Sequence, residues 1–438
     1  LAIADYTEAI RLEPQNARTL VSRGNALAEK GDRVLALADY GEAIRLDPNS
    51  AAARFNRGVL YKAMGDLDRA IDDFSATLQE SPQHAGALNN RGLAYFEKKQ
   101  IEAAIADFAA AIRIDPNYAR AYNNRGNAWE AKGDRDRAIA DYNRAILLDP
   151  GYADAHFNRA MARRRAGGLE GAIEDLDEAI RLDSTQAQYF NERGLAWRER
   201  GDLDKAIVDL TESIRLDANQ AATFNNRGNA WEDKGERDRA IADYNEAIRL
   251  NPNYAPAYYN RAMSWRRKGD DERALSDYNE TIRLDPKHAG AYSNRGIIWD
   301  DRGDRNRALE DFSRAIEIDP SFAAAYNNRA NVLRARGEYE KALADYAQAI
   351  SLRPDYALAY LNRAWALVLG GRDDEAIADA TRAIAINPRY VAAYERRARI
   401  YEKLGERDKA VADFRKAVEI DPSYKPASDS LRRLGAGN

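Results

Sequence analysis

Three side-chain types recur at fixed spacing in this 438-residue chain and are the ones placed to do chemistry: arginine, aspartate and asparagine. Arg stands at 23, 57, 91, 125, 159, 193, 227, 261, 295, 329, 363 and 397, one every 34 residues. Sixteen residues after each stands an Asp, for example Asp141, Asp243 and Asp345. A guanidinium and a carboxylate form a bidentate, charge-assisted pair, so the two matched rows predict ion pairs joining two segments. The competing chemistry is a row of arginines that binds an anion. The equal number of aspartates leaves little charge over and favours the structural pair.

The residue just before the Arg is usually Asn: Asn56, Asn90, Asn124, Asn158, Asn226, Asn260, Asn294, Asn328 and Asn362, with Ser22, Glu192 and Arg396 as the exceptions. A primary amide carries a donor and an acceptor, so it can match one peptide unit of a bound main chain. It can equally bond to a neighbouring segment of its own chain. Two residues after the Arg a second pattern repeats every third unit: Asn25, Val59, Leu93; Asn127, Met161, Leu195; Asn229, Met263, Ile297; Asn331, Trp365, Arg399. Two residues before the Arg, the middle unit of each triplet carries Phe55, Phe157, Tyr259 or Leu361. Phe157 with Met161, and Tyr259 with Met263, predict shallow apolar pockets, and such residues are costly on a surface unless something covers them.

Catalytic chemistry finds little to stand on. The three histidines, His84, His156 and His288, are scattered, and there is no cysteine. No phosphate-cradling glycine loop or nucleophile elbow is present, so no cofactor or metal is expected. The net charge is −4, which argues against a nucleic-acid partner. No apolar run approaches the roughly 20 residues of a membrane-spanning helix. The expected chain is soluble, in a compartment the sequence leaves undecided: the cytoplasm is slightly favoured, and the periplasm stays open because the chain begins inside a repeat at Leu1.

The elements that must position these rows follow from the punctuation. Pro stands at 14, 48, 82, 116 and 150, then at 252, 286, 320, 354, 388 and 422, in 34-residue steps, with Ser184 and Ala218 filling the two gaps. Numbering the unit so that this proline is its thirty-second residue makes the Arg seventh, the Asn row sixth and the Asp twenty-third. In the unit Ala119–Tyr152, Tyr122, Gly126 and Trp129 form the inward stripe of a first helix. Gly133 and Asp134 close that helix and cap the next. Ala138, Tyr142 and Ala145 form the stripe of a second helix, which Pro150 ends. The eighth residue is Gly or Ala and the twentieth is Ala in all twelve units, small enough for two helices to approach closely. Trp365 is the one of six tryptophans outside the eleventh, core position and is the expected exposed anchor.

A 34-residue helix–turn–helix unit with this pattern resembles the tetratricopeptide repeat family. The resemblance implies an all-α fold, a right-handed superhelical α-solenoid of antiparallel helix pairs. Residues 1–16 are then the second helix of a truncated repeat, 17–424 twelve tandem repeats, and 425–438 a capping helix and tail. In the family the first helices line a concave groove. The Asn row resembles the asparagine ladder in the repeat domain of O-GlcNAc transferase, which implies a peptide-binding track. The family's carboxylate clamp uses Lys at the fifth position with Asn at the ninth; Asn127, Asn229 and Asn331 fit, but no fifth position is Lys.

The triplet pattern adds a longer period of 102 residues, and Ala119–Tyr152 agrees with Ala221–Tyr254 at 25 of 34 positions. The array therefore reads as four blocks of three. On the presumed groove face, Arg164, Arg165, Arg198, Arg266 and Arg267 form basic spots, and Glu130, Glu232, Asp233, Asp300 and Asp301 acidic ones. The leading expectation is a non-catalytic scaffold that binds an extended peptide or protein segment. The alternatives are a structural protein that self-associates through an open N-terminal end, and the targeting arm of a larger transferase.

Overall fold

The computed structural model describes residues 2–436, and among them every regular element is an α-helix. The chain divides into two compact units, Leu1–Ala230 and Trp231–Asn438. The first contains α1 (Ala2–Leu12), α2 (Ala17–Lys30), α3 (Arg33–Leu46), α4 (Ala51–Ala63), α5 (Leu67–Glu80), α6 (Ala85–Glu97), α7 (Ile101–Ile114), α8 (Ala119–Lys132), α9 (Arg135–Leu148), α10 (Ala153–Arg165), α11 (Leu169–Leu182), α12 (Ala187–Arg200) and α13 (Leu203–Leu216). The boundary falls within α14 (Ala221–Asp233). The second contains α15 (Arg237–Leu250), α16 (Ala255–Arg267), α17 (Asp271–Leu284), α18 (Ala289–Asp301), α19 (Arg305–Ile318), α20 (Ala323–Ala335), α21 (Tyr339–Leu352), α22 (Ala357–Leu369), α23 (Asp373–Ile386), α24 (Val391–Lys403), α25 (Arg407–Ile420) and α26 (Lys425–Arg433). Within each unit consecutive helices pair as hairpins, from α2/α3 to α12/α13 and from α16/α17 to α24/α25, and each hairpin stacks on the next. This is an α-solenoid.

The turn chemistry does what its residues dictate. Gly133 closes α8 at φ 88°, a left-handed conformation that glycine adopts without a side-chain clash. Asp134 then accepts a hydrogen bond from the Arg137 amide and caps α9. Lys99 takes the same left-handed turn at φ 62° without the benefit of glycine, a strained position for an L side chain.

The core of each hairpin is a ring set against a small residue. Tyr142 lies almost wholly buried across α8, and a Cβ on Gly126 would sit 2.5 Å from its ring. Ala262 occupies the equivalent place beside Tyr278, and both are fully buried. The last helix is also packed: Leu431 of α26 is buried with Tyr394 and Phe414. Leu1 and residues 437–438, which belong to the expected end segments, lie outside the described residues.

Candidate functional site

The first helix of each hairpin carries three rows that the sequence singled out, and each row has its own job. Arg125 Nε and Nη2 donate at 2.7 Å to the two oxygens of Asp141 on α9. Arg261–Asp277, Arg295–Asp311 and Arg397–Asp413 repeat that fork at 2.7–2.8 Å. The third nitrogen often reaches back to the preceding hairpin: Arg159 Nη1 donates to Asn143, Arg261 to Asn245 and Arg295 to Asn279, at 2.6–2.7 Å. One arginine thus ties three helices together. Hydrogen bonds to Asp311 raise the pKa of Arg295 above its ordinary value. With its donors committed in this way, the row is a set of internal staples and does not present free guanidinium groups to an anion.

Asp175 carries the most crowded staple. It accepts from Arg159 at 2.5 Å and from Arg163 at 2.9 Å, with His156 Nδ1 at 3.8 Å. Burial opposes its charge, but the nearby His156 ring, the hydrogen bond from Arg159 and the charges of Arg159 and Arg163 outweigh burial and lower its pKa. A carboxylate with a lowered folded pKa contributes stability that is complete above its unfolded value, about pH 4, and lost as the pH falls through the folded value. The stability of the wild-type chain should therefore fall below about pH 4 partly through this group. Asp175→Asn should flatten that part of the curve of urea midpoint against pH, and an unchanged acid limb would refute the assignment.

The asparagine row is half-buried throughout. Asn124 Nδ2 donates to Asn89 Oδ1 at 2.9 Å, Asn158 to Asn123 at 3.0 Å, Asn226 to Asn191 at 3.1 Å and Asn362 to Asn327 at 3.0 Å. Asn294 donates to the Tyr259 hydroxyl at 3.1 Å and Asn56 to Asn25 at 2.8 Å. Asn90, which follows the apolar Phe55, turns to its own helix at Gly86 O, and Asn328 accepts from Asn327. Asn260 is also engaged. The row therefore orders itself hairpin to hairpin through one N–H, which leaves the carbonyl and second N–H of amides such as Asn124, Asn158 and Asn226 without a side-chain partner among the described residues.

The ninth-position asparagines are held differently. Asn127 accepts from the Tyr142 hydroxyl at 2.7 Å, Asn331 from Tyr346 at 2.6 Å and Asn25 from Tyr40 at 2.7 Å; Asn229 is engaged too. The aromatic residues of the expected pockets are likewise partnered. Phe157 stacks on Tyr189 with centroids 4.9 Å apart and Met161 packs beside it. Tyr259 lies against Tyr278 and His288, next to Met263. Trp365 is 40 % exposed. Most charged spots pair across adjacent hairpins: Arg165 with Glu130 and Arg267 with Glu232 at 2.7 Å, Arg164 with Glu192 at 2.8 Å and Arg266 with Asp301 at 2.9 Å.

These hairpins match known ones by sequence. Tetratricopeptide repeat descriptions match residues 119–152, 221–254, 289–322, 357–390, 391–424, 312–344, 255–288, 157–221 and 52–84, and a TPR repeat description matches 24–65, 92–133 and 330–370. The chain belongs to the tetratricopeptide repeat family. Its fold is similar to the crystal structure of the APC/C hetero-tetramer Cut9-Hcn1, with TM-score 0.52 and 14 % identity over 96 % of both chains. Yeast Tom70 aligns with TM-score 0.42 and 17 % identity over 96 % of this chain and 99 % of that one. YrrB, titled a TPR protein with an unusual peptide-binding site, aligns with TM-score 0.37 and 23 % identity over 42 % of this chain and 95 % of that one. No curated protein sequence matches this one. Tetratricopeptide repeats are generally scaffolds for protein–protein interaction without catalytic chemistry. No helix among the described residues is long and apolar enough to cross a membrane.

What sequence reading missed in this tetratricopeptide array is the acceptor row. Asn89, Asn123, Asn191, Tyr259 and Asn327, at the fifth position, receive the amide of the next hairpin. The signal was partial: Phe157 and Leu361 at the fifth position are followed one repeat later by Glu192 and Arg396, not Asn, whereas Phe55 is followed by Asn90, which bonds to its own helix instead.

Proposed function

We propose that the chain is a non-catalytic interaction scaffold that holds an extended peptide or protein segment along the groove lined by its first helices. The reading takes the chain as half a repeat (1–16), twelve repeats (17–424) and a tail (425–438). The observation that carries it is the asparagine row. Asn124, Asn158 and Asn226 are each oriented by one cross-hairpin bond and half-exposed, with hydrogen-bonding capacity to spare. Amides fixed before a ligand arrives lose less rotamer entropy on binding, and a regular row of them suits main chain, which has the same donor and acceptor in every residue. Asn56, Asn90, Asn260, Asn294, Asn328 and Asn362 extend the row, with Phe157, Met161, Tyr259 and Met263 supplying preference for apolar side chains.

The test is selection from a displayed library of random dodecamer peptides by the wild-type chain and by the triple variant Asn124→Ala, Asn158→Ala, Asn226→Ala. The wild type should enrich extended sequences, and the variant should lose that enrichment. Its unfolding free energy should fall by no more than the value of three interfacial hydrogen bonds, about 0.5–1.5 kcal/mol each. Equal enrichment by both proteins would mean that the amides only join hairpins.

A further inference from the structure

The 102-residue period makes the second block an internal control for the fourth. In the second block the ion pairs Glu130–Arg165 and Arg164–Glu192 close on themselves at 2.7 and 2.8 Å. Two blocks later the same four places hold Arg334, Leu369, Val368 and Arg396, while Met161 has become Trp365 and Leu195 Arg399. Both acids have become arginines, and both arginines have become apolar. A self-neutralised network is thus replaced by cations without their acids.

The geometry follows the sequence. Arg396 stacks on the Trp365 indole at 3.5 Å from the ring centroid, and Arg334 lies over the same ring at 5.0 Å. Neither has a carboxylate within salt-bridge distance among the described residues. The Nε atoms of both are buried without a hydrogen-bond partner, whereas the seventh-position staples described above use theirs on aspartate. Burial lowers the pKa of Arg396 from its ordinary value, the opposite of what the stapled Arg397 beside it experiences. A desolvated guanidinium without an acceptor is an expensive arrangement.

Both arginines border a pocket of about 550 Å³ or flank its indole wall. Trp365, Val368, Ile400 and Pro426 form its apolar side. Of the three cations that line it, Arg399 is hydrogen-bonded to Glu395 and Lys403 pairs with Asp373 at 2.8 Å, which leaves Arg396 as the one without a carboxylate partner among the described residues. Charge and shape ask for one kind of occupant. A carboxylate satisfies the guanidinium nitrogens in plane, and a neighbouring apolar side chain covers the indole and Val368.

We propose that the pocket between α22, α24 and α26 binds an acidic peptide segment in which Asp or Glu lies next to a large apolar residue, its carboxylate bonded to Arg396 and its apolar side chain seated on Trp365. The proposal rests on the groove reading above and gives it one chemically defined station.

The experiment presents dodecamer peptide libraries, one with a fixed Glu-Leu pair and one with a fixed Lys-Leu pair, to the full chain and to Arg396→Gln, Arg396→Glu and Trp365→Met. Among the described residues Arg396 stacks on Trp365 and makes no hydrogen bond, so the melting temperature of Arg396→Gln should stay close to that of the wild type. The wild type should prefer the Glu-Leu library. Arg396→Gln should lose that preference by about ten- to a hundredfold, the effect of removing a charged hydrogen-bond partner. Arg396→Glu, which restores the charge found at Glu192, should turn the preference toward Lys-Leu. Trp365→Met should weaken capture of both libraries while keeping the sign of the preference. If wild type and Arg396→Gln select acidic peptides alike, or the wild type binds peptides without regard to charge, the pocket assignment fails and the groove reading stands. If the wild type retains neither library above a bare matrix, both fail.

Discussion

Replacing Asp277 with Ala is expected to destabilise its hairpin by about 3 kcal/mol, the lower end of the range for breaking a buried ion pair. The reason lies in what is left behind. Arg261 spends Nε and Nη2 on the two Asp277 oxygens at 2.8 and 2.7 Å and Nη1 on Asn245 at 2.6 Å. Without the carboxylate, a guanidinium remains between helices with two donors unanswered. Its side chain keeps 19 % of its exposure, against 7 % for Asp277, so water recovers part of the loss and the estimate stays low in the range. The double variant Arg261→Met, Asp277→Leu removes both charges and should be less harmful than Asp277→Ala alone, because no unpaired charge survives. A double-mutant cycle in urea gives the coupling directly. A loss below about 1 kcal/mol for Asp277→Ala would place the pair with exposed salt bridges, which contribute little.

Phe312→Ala should cost more, about 3–5 kcal/mol, as expected for a buried aromatic ring removed without refilling. The ring is 1 % exposed among Ala308 and Val332, with Ile297, Leu309 and Trp299 beside it. It also touches the place where Gly296 has no side chain, so that position of α18 offers nothing to fill the void. In an array whose stability is a sum of hairpin and interface terms, a loss of this size at one hairpin need not unfold the rest. The expected result is a broadened or two-step urea transition by circular dichroism, with amide exchange accelerated in α18 and α19 before the outer helices. A single transition merely shifted to lower urea would show that cooperativity extends across the unit.

The helices themselves were legible because their causes are local. The helix-closing role of Gly133, the Asp134 cap and the small residues opposite Tyr142 follow from propensity and spacing within one 34-residue unit, and the structure places them as that spacing predicts. The Arg–Asp staples were legible as pairs, since both members recur. Their third bond to the preceding hairpin was not, because the position need only supply an acceptor and varies in type: Asn143, Asn245 and Asn279 in some hairpins, Ser75, Asp177, Ser313 and Thr381 in others. The Asn row shows the same limit more sharply. Its residue type says that each amide carries donors and an acceptor, but which atoms are spent depends on the residue one repeat earlier.

Trp365 marks the boundary between the two kinds of knowledge. Its departure from the core register was enough to single it out as an exposed aromatic. That it is flanked by two arginines lacking carboxylates could not be read from its own neighbourhood, since Arg334 and Arg396 lie on the hairpins before and after it. By itself the sequence determined the repeat, the helix pairs, the staple partners and the family, because periodic patterns encode contacts that recur in every unit. Only the tertiary structure decided which polar groups remain unsatisfied, because satisfaction is a property of stacked neighbours: Arg164 and Arg165 are neutralised by glutamates one repeat away, whereas Arg334 and Arg396, standing two blocks later where those glutamates would be, have no carboxylate within salt-bridge distance among the described residues.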